Sequence, residues 1–290
     1  MKSIYSLTIL IIFHFISSYT IQAQGENDQW IFGSSCHVSF KNGTPQVLAP
    51  LNTLKTLEGC SSVSDKYGNL LFYSDGITVW NKNHIVMQNG TGLKGDPSST
   101  SSCVVVPFPK SPNLYYLFCV QSNMSYTHLL TYNILDINAN EGLGKIIKKN
   151  AILVENSDEK IAVTKNCSSD GFWLVMHKAL SNEYLSFSID SSGINTSPVS
   201  SFQNISISKN IELGYLKFST DGNYLANAQC HGRTIELYKF DKQTGRITYF
   251  AHETLPMGDD QTFYGLSFSP NNGFLYTSLV DRGEVFQFNL

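Results

Sequence analysis

The sequence predicts an all-β fold made from a repeated unit of four short strands, and residues 214–250 display that unit most clearly. Short runs that alternate apolar and polar residues, or that are β-branched and aromatic, are separated there by turns rich in Gly, Asp, Asn and Thr. The segment lacks the periodicity of a helix. A single four-stranded meander cannot bury both of its apolar faces, so we expect the unit to stack on copies of itself.

Five copies of the unit follow one another along the chain, over residues 60–80, 103–146, 161–194, 214–250 and 264–290. The turn after the first predicted strand recurs at Gly68, Asn113, Gly171, Gly222 and Gly273, with spacings of 45, 58, 51 and 51 residues. A period of about 50 residues with four strands per unit is typical of the blades of a β-propeller. The alternative is a β-sandwich with chance similarity, and the agreement of five repeats favours the propeller.

The sequence over residues 30–48 predicts an N-terminal half-blade. We expect a strand over residues 30–40, a hairpin turn over 41–44 and a partner strand over 45–48, which together parallel residues 238–248 of the fourth repeat. Such a half-blade closes a ring by pairing with the C-terminal strands. By its alignment with residues 238–248, the N-terminal hairpin begins with the third strand of a blade. The fifth repeat also ends in a third strand, at residues 284–290, so neither end provides the first two strands that would complete a blade. We therefore expect an incomplete ring that self-associates or is marginally stable.

Residues 1–23 read as a signal peptide, and residues 24–290 as one propeller domain. Lys2 supplies the positive end, residues 4–16 form a nearly unbroken apolar run, and Ala23 ends a plausible cleavage site. A short N-terminal membrane anchor is the alternative, but the apolar run is short for a span. We expect a secreted or cell-surface protein with no membrane span after the signal is removed.

Composition argues against nucleic acid as a partner. The formal net charge is −3, and no basic cluster is longer than residues 145–149. Charged residues make up 15% of the chain and aromatic residues 12%, which suits stacked sheets with mostly buried faces. The six cysteines lack the spacing of a metal site. We interpret most of them as small buried residues, with a disulfide between Cys60 and Cys103 as the alternative.

No catalytic, metal or cofactor-binding residue is assigned from the sequence. The densest polar group is His252 and Glu253 with Asp259 and Asp260, for which a solvated loop is the simpler interpretation than a metal or acid/base site. Asp75 and Asp96 read as turn residues. Four histidines that fall at loops or strand ends in different repeats are interpreted as structural rather than as one joint site: His84, His177, His231 and His252.

Two functions of different classes remain after this search. The first is a non-catalytic module that binds a protein or glycan on one face of the propeller. The second is a propeller enzyme such as a lactonase or glycosidase, which concentrates acidic or histidine residues at its innermost strands. The innermost strands predicted here contain a single charged residue, Lys217, which favours the binding module. Fold alone does not settle the choice.

Several motifs, densest over residues 30–100, resemble the N-terminal WD40/YVTN-like propeller of exported Bacteroidetes surface proteins associated with gliding motility and type IX secretion. They are Trp30-Ile-Phe-Gly33, Gly43-Thr-Pro45, Leu57-Glu-Gly-Cys-Ser61, the segment 68–76, Thr78-Val-Trp-Asn81 and the segments 87–93 and 95–100. The resemblance implies a cell-surface or secreted binding module without a cofactor. It also implies about seven blades, which would place one or two beyond Leu290. A C-terminal sorting domain, frequent in that family, does not occur before Leu290.

Overall fold

The computed structural model describes residues 25–51, 53–168, 170–203, 213–230, 234–254, 262–280 and 283–290. Within these residues the chain forms six antiparallel sheets, each made from strands that follow one another in sequence. The predicted signal peptide, residues 1–23, lies outside the described residues. None of the described helices is long and apolar enough to cross a membrane.

The sheets contain three to five strands each. Sheet 1 comprises β1 (Gln29–Phe32), β2 (Cys36–Ser39) and β3 (Gln46–Val47), and sheet 2 comprises β4 (Ser61–Ser64), β5 (Leu70–Ser74) and β6 (Val79–Asn81). Sheet 3 comprises β7 (Cys103–Pro107), β8 (Leu114–Val120), β9 (Leu130–Asp136) and β10 (Lys145–Val154). Sheet 4 comprises β11 (Ser157–Lys165), β12 (Phe172–Lys178), β13 (Glu183–Asp190), β14 (Gly193–Ile194) and β15 (Val199–Phe202). Sheet 5 comprises β16 (Leu216–Phe218), β17 (Tyr224–Gln229), β18 (Thr234–Asp241) and β19 (Arg246–Thr254), and sheet 6 comprises β20 (Phe263–Phe268), β21 (Phe274–Leu279) and β22 (Val285–Asn289).

The first strand of each sheet contacts the first strand of the next sheet. We call these six strands the inner strands: β1, β4, β7, β11, β16 and β20. Each sheet then runs outward as a meander, so that successive sheets stack face to face around a common axis. The fold is a β-propeller. The sequence prediction of an all-β propeller fold is therefore confirmed.

A repeated turn joins the inner strand to the second strand in four of the sheets. Asp65, Asn166, Asp221 and Asn271 each accept, through a side-chain oxygen, a hydrogen bond from the backbone N–H two residues later. Asp and Asn favour such turns because the short side chain can satisfy a backbone donor locally. The turn positions predicted from the repeat are thus explained by local chemistry.

Apolar side chains fill the space between consecutive sheets, because alternate residues of each strand face opposite neighbours. Tyr73 and Trp80 stack at 5.3 Å in the layer between sheets 1 and 2, and comparable layers join sheets 2–3, 3–4, 4–5 and 5–6. Among the described residues, no apolar cluster joins sheet 6 to sheet 1. On β1, Trp30 and Phe32 remain 51% and 42% exposed.

The predicted N-terminal half-blade is wrong in its strand assignment. Positive φ angles at Gly33 and Ser35 reverse the chain, so residues 30–40 form two strands, β1 and β2, instead of one. The backbone of Gln29 in β1 bonds the hydroxyls of Ser62 and Ser64 in β4, which makes β1 an inner strand. Sheet 1 is therefore the start of a blade. The argument that both ends of the chain offer a third strand does not hold.

Three further boundaries differ from the sequence prediction. Residues 150–159 read from the sequence as a loop, but they form the end of β10 and the start of β11, so that Asp158, Glu159 and Lys160 belong to an inner strand. Residues 195–209, rich in Ser and Thr, read from the sequence as a long connection, but their described part contains β15. Sheet 2 holds three strands where four were expected, and a bridge from Trp80 to Val86 stands at the fourth position. Sheet 6 ends in its third strand, β22, as the sequence predicts for the fifth repeat.

Candidate functional site: the central channel

The inner strands of sheets 2 to 5 enclose a cavity of about 970 Å³ along the propeller axis. Each inner strand is the first of its sheet, so one edge of its backbone has no strand partner and faces this cavity. We call the end at which the inner strands begin the entry end, and the opposite end the exit end. A concave site of this volume is large enough for a small ligand.

Hydroxyl and amide groups provide much of the polar lining of the channel. They belong to Asn27, Ser61, Thr100, Ser101, Thr164, Asn166, Ser219 and Thr220, together with the phenol of Tyr215. The rest of the wall is largely apolar or backbone, including Val104, Ile161 and Val163. A surface of this kind suits a ligand rich in hydroxyl groups, which both donates and accepts hydrogen bonds.

Three lysines line the exit half, and we call them the channel lysines: Lys165, Lys217 and Lys242. Lys217 lies between Leu216 and Phe218, which are buried against sheet 4, so strand alternation turns Lys217 away from that layer. The ammonium groups of Lys165 and Lys217 form no hydrogen bond or ion pair with another described residue. Lys242 donates from Nζ to the carbonyl oxygen of Asp221 at 2.7 Å.

A chain of hydrogen bonds crosses the entry end, and we call it the entry cluster. The hydroxyl of Tyr264 donates to Glu58 Oε2 at 2.6 Å and lies 2.9 Å from the hydroxyl of Thr100. Thr100 donates to Glu159 Oε2 through both its hydroxyl, at 3.0 Å, and its N–H, at 2.7 Å. The N–H of Asn123 donates to Glu159 Oε1 at 2.7 Å. Segments from sheets 2, 3, 4 and 6 are therefore tied together at this end.

The two carboxyl groups of the entry cluster are harder to ionise than ordinary glutamates. Burial raises the pKa of Glu159 to about 7, although hydrogen bonds from Asn123 and Thr100 oppose the shift, and the Glu58 carboxylate adds to it. The pKa of Glu58 is raised by burial, opposed by the Tyr264 hydroxyl and reinforced by Asp96. At neutral pH the pair therefore retains part of a proton, which suits it to acid/base chemistry.

A second polar network is enclosed between sheets 4 and 5. Lys160 is 0% exposed, and its Nζ donates to Asn227 Oδ1 at 2.9 Å and to the carbonyl oxygen of Ala228 at 2.8 Å. Burial lowers the pKa of Lys160, and the carboxylates of Asp158 and Glu236 oppose that shift. Glu236 in turn accepts hydrogen bonds from Asn227 and from the hydroxyl of Tyr238. No atom of Lys160 reaches solvent, so we interpret the network as structural.

The structure separates the histidines that the sequence singled out. His177 is buried against Asp158 at 2.6 Å, whereas His84 lies beside the hydroxyl of Tyr73 in sheet 2. His252 and Glu253 lie on the outer strand β19, away from the channel. These three histidines do not form one site, and His231, Asp259 and Asp260 lie outside the described residues. No group of three or more metal-ligating side chains occurs in the described part of the chain.

The predicted turn aspartates are located as expected, whereas the cysteines are only in part: Cys103, Cys119 and Cys230 are buried, Cys36 and Cys60 are half-buried, and Cys167 is exposed. Asp75 accepts hydrogen bonds from the N–H groups of Ile77 and Thr78, and Asp96 accepts one from the N–H of Ser98. Cys60 and Cys103 are not joined by a disulfide. Burial raises the pKa of Cys60 to about 11 and that of Cys103 to about 12, so both behave as small apolar residues.

The sequence reasoning missed the residues of the entry cluster. Glu58 and Thr100 precede the predicted inner strands, and Glu159 was assigned to a loop. One available signal was the run Asp158-Glu159-Lys160 directly before the apolar residues of the repeat. The expectation that the innermost strands carry Lys217 as their single charge is wrong, because β11 begins at Ser157.

Solved structures share this fold at low sequence identity. A protein of Bacteroides fragilis proposed to be a 6-phosphogluconolactonase matches with a TM-score of 0.53 and 12% identity, over 90% of this chain and 75% of the other. The periplasmic gluconolactonase of Pseudomonas aeruginosa matches with a TM-score of 0.50 and 11% identity, over 89% and 76%. Hsv2 of Kluyveromyces lactis matches with a TM-score of 0.51 and 8% identity, over 91% and 72%.

These likenesses show the fold alone, because the identities are low and one fold hosts many functions. No protein-family model matches the chain, and no curated protein matches it in sequence.

Proposed function

We propose that this protein is an exported, non-catalytic binding module that holds a glycan, or a segment of a protein, in its central channel. The observation that carries the proposal is the channel itself, a cavity of about 970 Å³ with a hydroxyl- and amide-rich wall and two lysines whose ammonium groups have no partner among the described residues. The carboxylates at the entry end, in contrast, already accept hydrogen bonds from the protein. Export and a role at the cell surface rest on the N-terminal signal and on the resemblance to surface propellers.

A variant that fills the channel tests this proposal. Thr220 lines the cavity and is exposed, so Thr220→Trp places an indole in the exit half while the fold is kept. We expect saccharide binding, measured by isothermal titration calorimetry against a panel of oligosaccharides, to be lost in this variant. Thr248→Trp, on the outer strand β19, is the matched control and should bind as the wild type does. Equal binding by both variants would place the ligand elsewhere and overturn the proposal.

The second candidate is lactone hydrolysis, and the entry cluster is the observation in its favour. Glu58 is partly exposed and is linked through Tyr264 and Thr100 to Glu159, which is enclosed and has a pKa of about 7. In this arrangement Glu58 could act as the general acid or base, and Glu159 would hold a proton behind it. Turnover of glucono-lactone that disappears in Glu159→Gln and survives in Thr248→Trp would establish this function and exclude the non-catalytic one. Absence of turnover with intact saccharide binding would support the binding module.

A further inference from the structure

The charge of the channel is distributed unevenly along its axis. The exit half contains the three channel lysines, and among the described lining residues the one carboxylate is that of Asp221. Asp221 accepts hydrogen bonds from the hydroxyl of Ser219 at 2.6 Å and from the side-chain amide of Asn223 at 2.7 Å. Because its oxygens are engaged within its own turn, Asp221 forms no ion pair with Lys165 or Lys217, and the three lysines exceed the one carboxylate among the described lining residues.

Lys217 is a charged residue at the middle of an inner strand, where the other inner strands have none. The middle of the other inner strands carries small or apolar residues, such as Val105 in β7 and Val163 in β11. Lysine holds its charged end in water when no partner is near, and exposed Lys217 does so inside a concave cavity. Low-dielectric walls around a cavity strengthen the field of such a charge on anything that enters.

We propose that the exit half of the channel binds the anionic group of an acidic saccharide, with Lys165 and Lys217 as the residues that contact it. This inference rests on the proposed function, since it names the class of ligand that the binding module takes. The carboxylate of a uronic acid and the phosphate of a sugar phosphate share the required chemistry. The ammonium groups would donate charge-assisted hydrogen bonds to either anion.

The entry end fixes the orientation of such a ligand. Glu58, Asp96 and Glu159 place negative charge at that end, so an anionic group there would be repelled. The hydroxyl groups of the sugar then lie toward the middle of the channel. There the Tyr215 hydroxyl can donate and accept, and the Ser61 hydroxyl, which donates to the Cys103 carbonyl, can accept. The channel therefore distinguishes the two ends of the ligand by charge.

The cavity favours a saccharide over an acidic protein segment. Its wall offers hydroxyl, amide and tyrosine groups to a compact ligand, and its volume of about 970 Å³ fits a short oligosaccharide. An acidic peptide would use the lysines but would leave most of the neutral hydroxyls of the wall without partners. Binding of an acidic peptide is accordingly an outcome of the test that would overturn the assignment.

Isothermal titration calorimetry on the full mature chain tests the proposal. The probes are a galacturonate trisaccharide, glucose 6-phosphate, neutral maltotriose and a short Asp/Glu peptide. We expect the uronate or the sugar phosphate to bind more tightly than maltotriose, with affinity that falls as salt is raised. Comparison of the two acidic sugars identifies which anion the site prefers.

Lysine variants connect the binding to the two residues. Lys217→Met and Lys165→Met should each weaken the acidic sugar roughly tenfold, while Lys217→Arg should restore most of the affinity. Lys94→Met, at an exposed loop position outside the channel lining, is the matched control and should bind as the wild type does. The arginine variant distinguishes loss of a charge from loss of folding.

The outcomes separate this inference from the proposed function. Equal binding of maltotriose and the acidic sugars would overturn the anionic preference and leave the binding module intact. Tighter binding of the peptide, or unchanged affinity in both methionine variants, would overturn the saccharide site. Failure of every probe to bind, with or without lactone turnover, would overturn both.

Discussion

Two lysines on neighbouring inner strands have opposite surroundings. Lys160 is enclosed between sheets 4 and 5, where Asn227 and Ala228 accept its hydrogen bonds and the carboxylates of Asp158 and Glu236 lie nearby. Lys217 is exposed to the channel and has no partner among the described residues. A buried charge must be compensated by the protein, whereas a charge in a cavity is available to a ligand. The comparison distinguishes polar groups that stabilise the fold, such as Lys160, from those that are available to bind a ligand, such as Lys217.

The largest effect on stability is expected from Lys160→Met. The substitution removes the buried ammonium group that lies near Glu236 and Asp158, and it leaves Asn227 Oδ1 and the Ala228 carbonyl oxygen without their donor. We therefore expect a loss of about 3 to 5 kcal/mol in the free energy of unfolding. Urea denaturation followed by tryptophan fluorescence measures this loss. If Lys160→Met lowered the free energy of unfolding as little as Lys217→Met does, the network would contribute little to stability.

The next largest effect is the dependence of the free energy of unfolding on pH, to which Glu159 contributes. Its folded-state pKa of about 7 lies above the ordinary value of 4.5, so the folded state holds the proton more tightly than the unfolded state. The resulting stabilisation is complete below pH 4.5 and is lost as pH rises through 7. We expect the stability of the wild type, relative to Glu159→Gln, to fall by about 3 kcal/mol over this range.

Thermal and urea unfolding of both proteins from pH 4.5 to 8 measures that difference. Glu183→Gln is a suitable control, because hydrogen bonds from Ser200 and Lys178 outweigh burial and hold the pKa of Glu183 below its usual range. Parallel pH profiles of the wild type and Glu159→Gln would contradict the assignment of a shared proton to the entry cluster.

A smaller loss is expected from Tyr264→Phe, which cuts the hydrogen-bonded chain between Glu58 and Thr100. The partly buried Glu58 carboxylate then lacks its donor, and we expect a cost of about 1 to 2 kcal/mol. Tyr276→Phe on the neighbouring strand β21 is the matched control, since the Tyr276 hydroxyl forms no hydrogen bond with another described residue. Equal stability of the two variants would mean that the entry cluster does not tie sheet 6 to sheets 2 and 3.

The smallest effect on stability is expected from Lys217→Met. The side chain is exposed and has no partner in the described part of the chain, so the free energy of unfolding should change by less than about 0.5 kcal/mol. Thermal melting checks this value beside Lys160→Met. A large loss would show that Lys217 has a structural role and would weaken its assignment to a ligand site.

The sequence determined the architecture of this protein through local signals. The recurring Asp/Asn turns and the alternation of residues such as Leu216, Lys217 and Phe218 are properties of short segments, and they persist in the folded chain. The period of about 50 residues between those turns is enough to predict stacked meanders around an axis. Lys217 was also identified from the sequence as a charge on an inner strand.

Tertiary structure decided which polar residues meet and which become buried. Glu58, Thr100, Glu159 and Tyr264 are far apart along the chain, and only the circular arrangement of the sheets brings their side chains within hydrogen-bonding distance. The pattern of Asp158-Glu159-Lys160 resembles a solvated loop, because local sequence does not reveal a carbonyl or a carboxylate contributed by the next sheet. Burial and charge compensation depend on contacts between distant segments, so they could not be predicted from any one repeat.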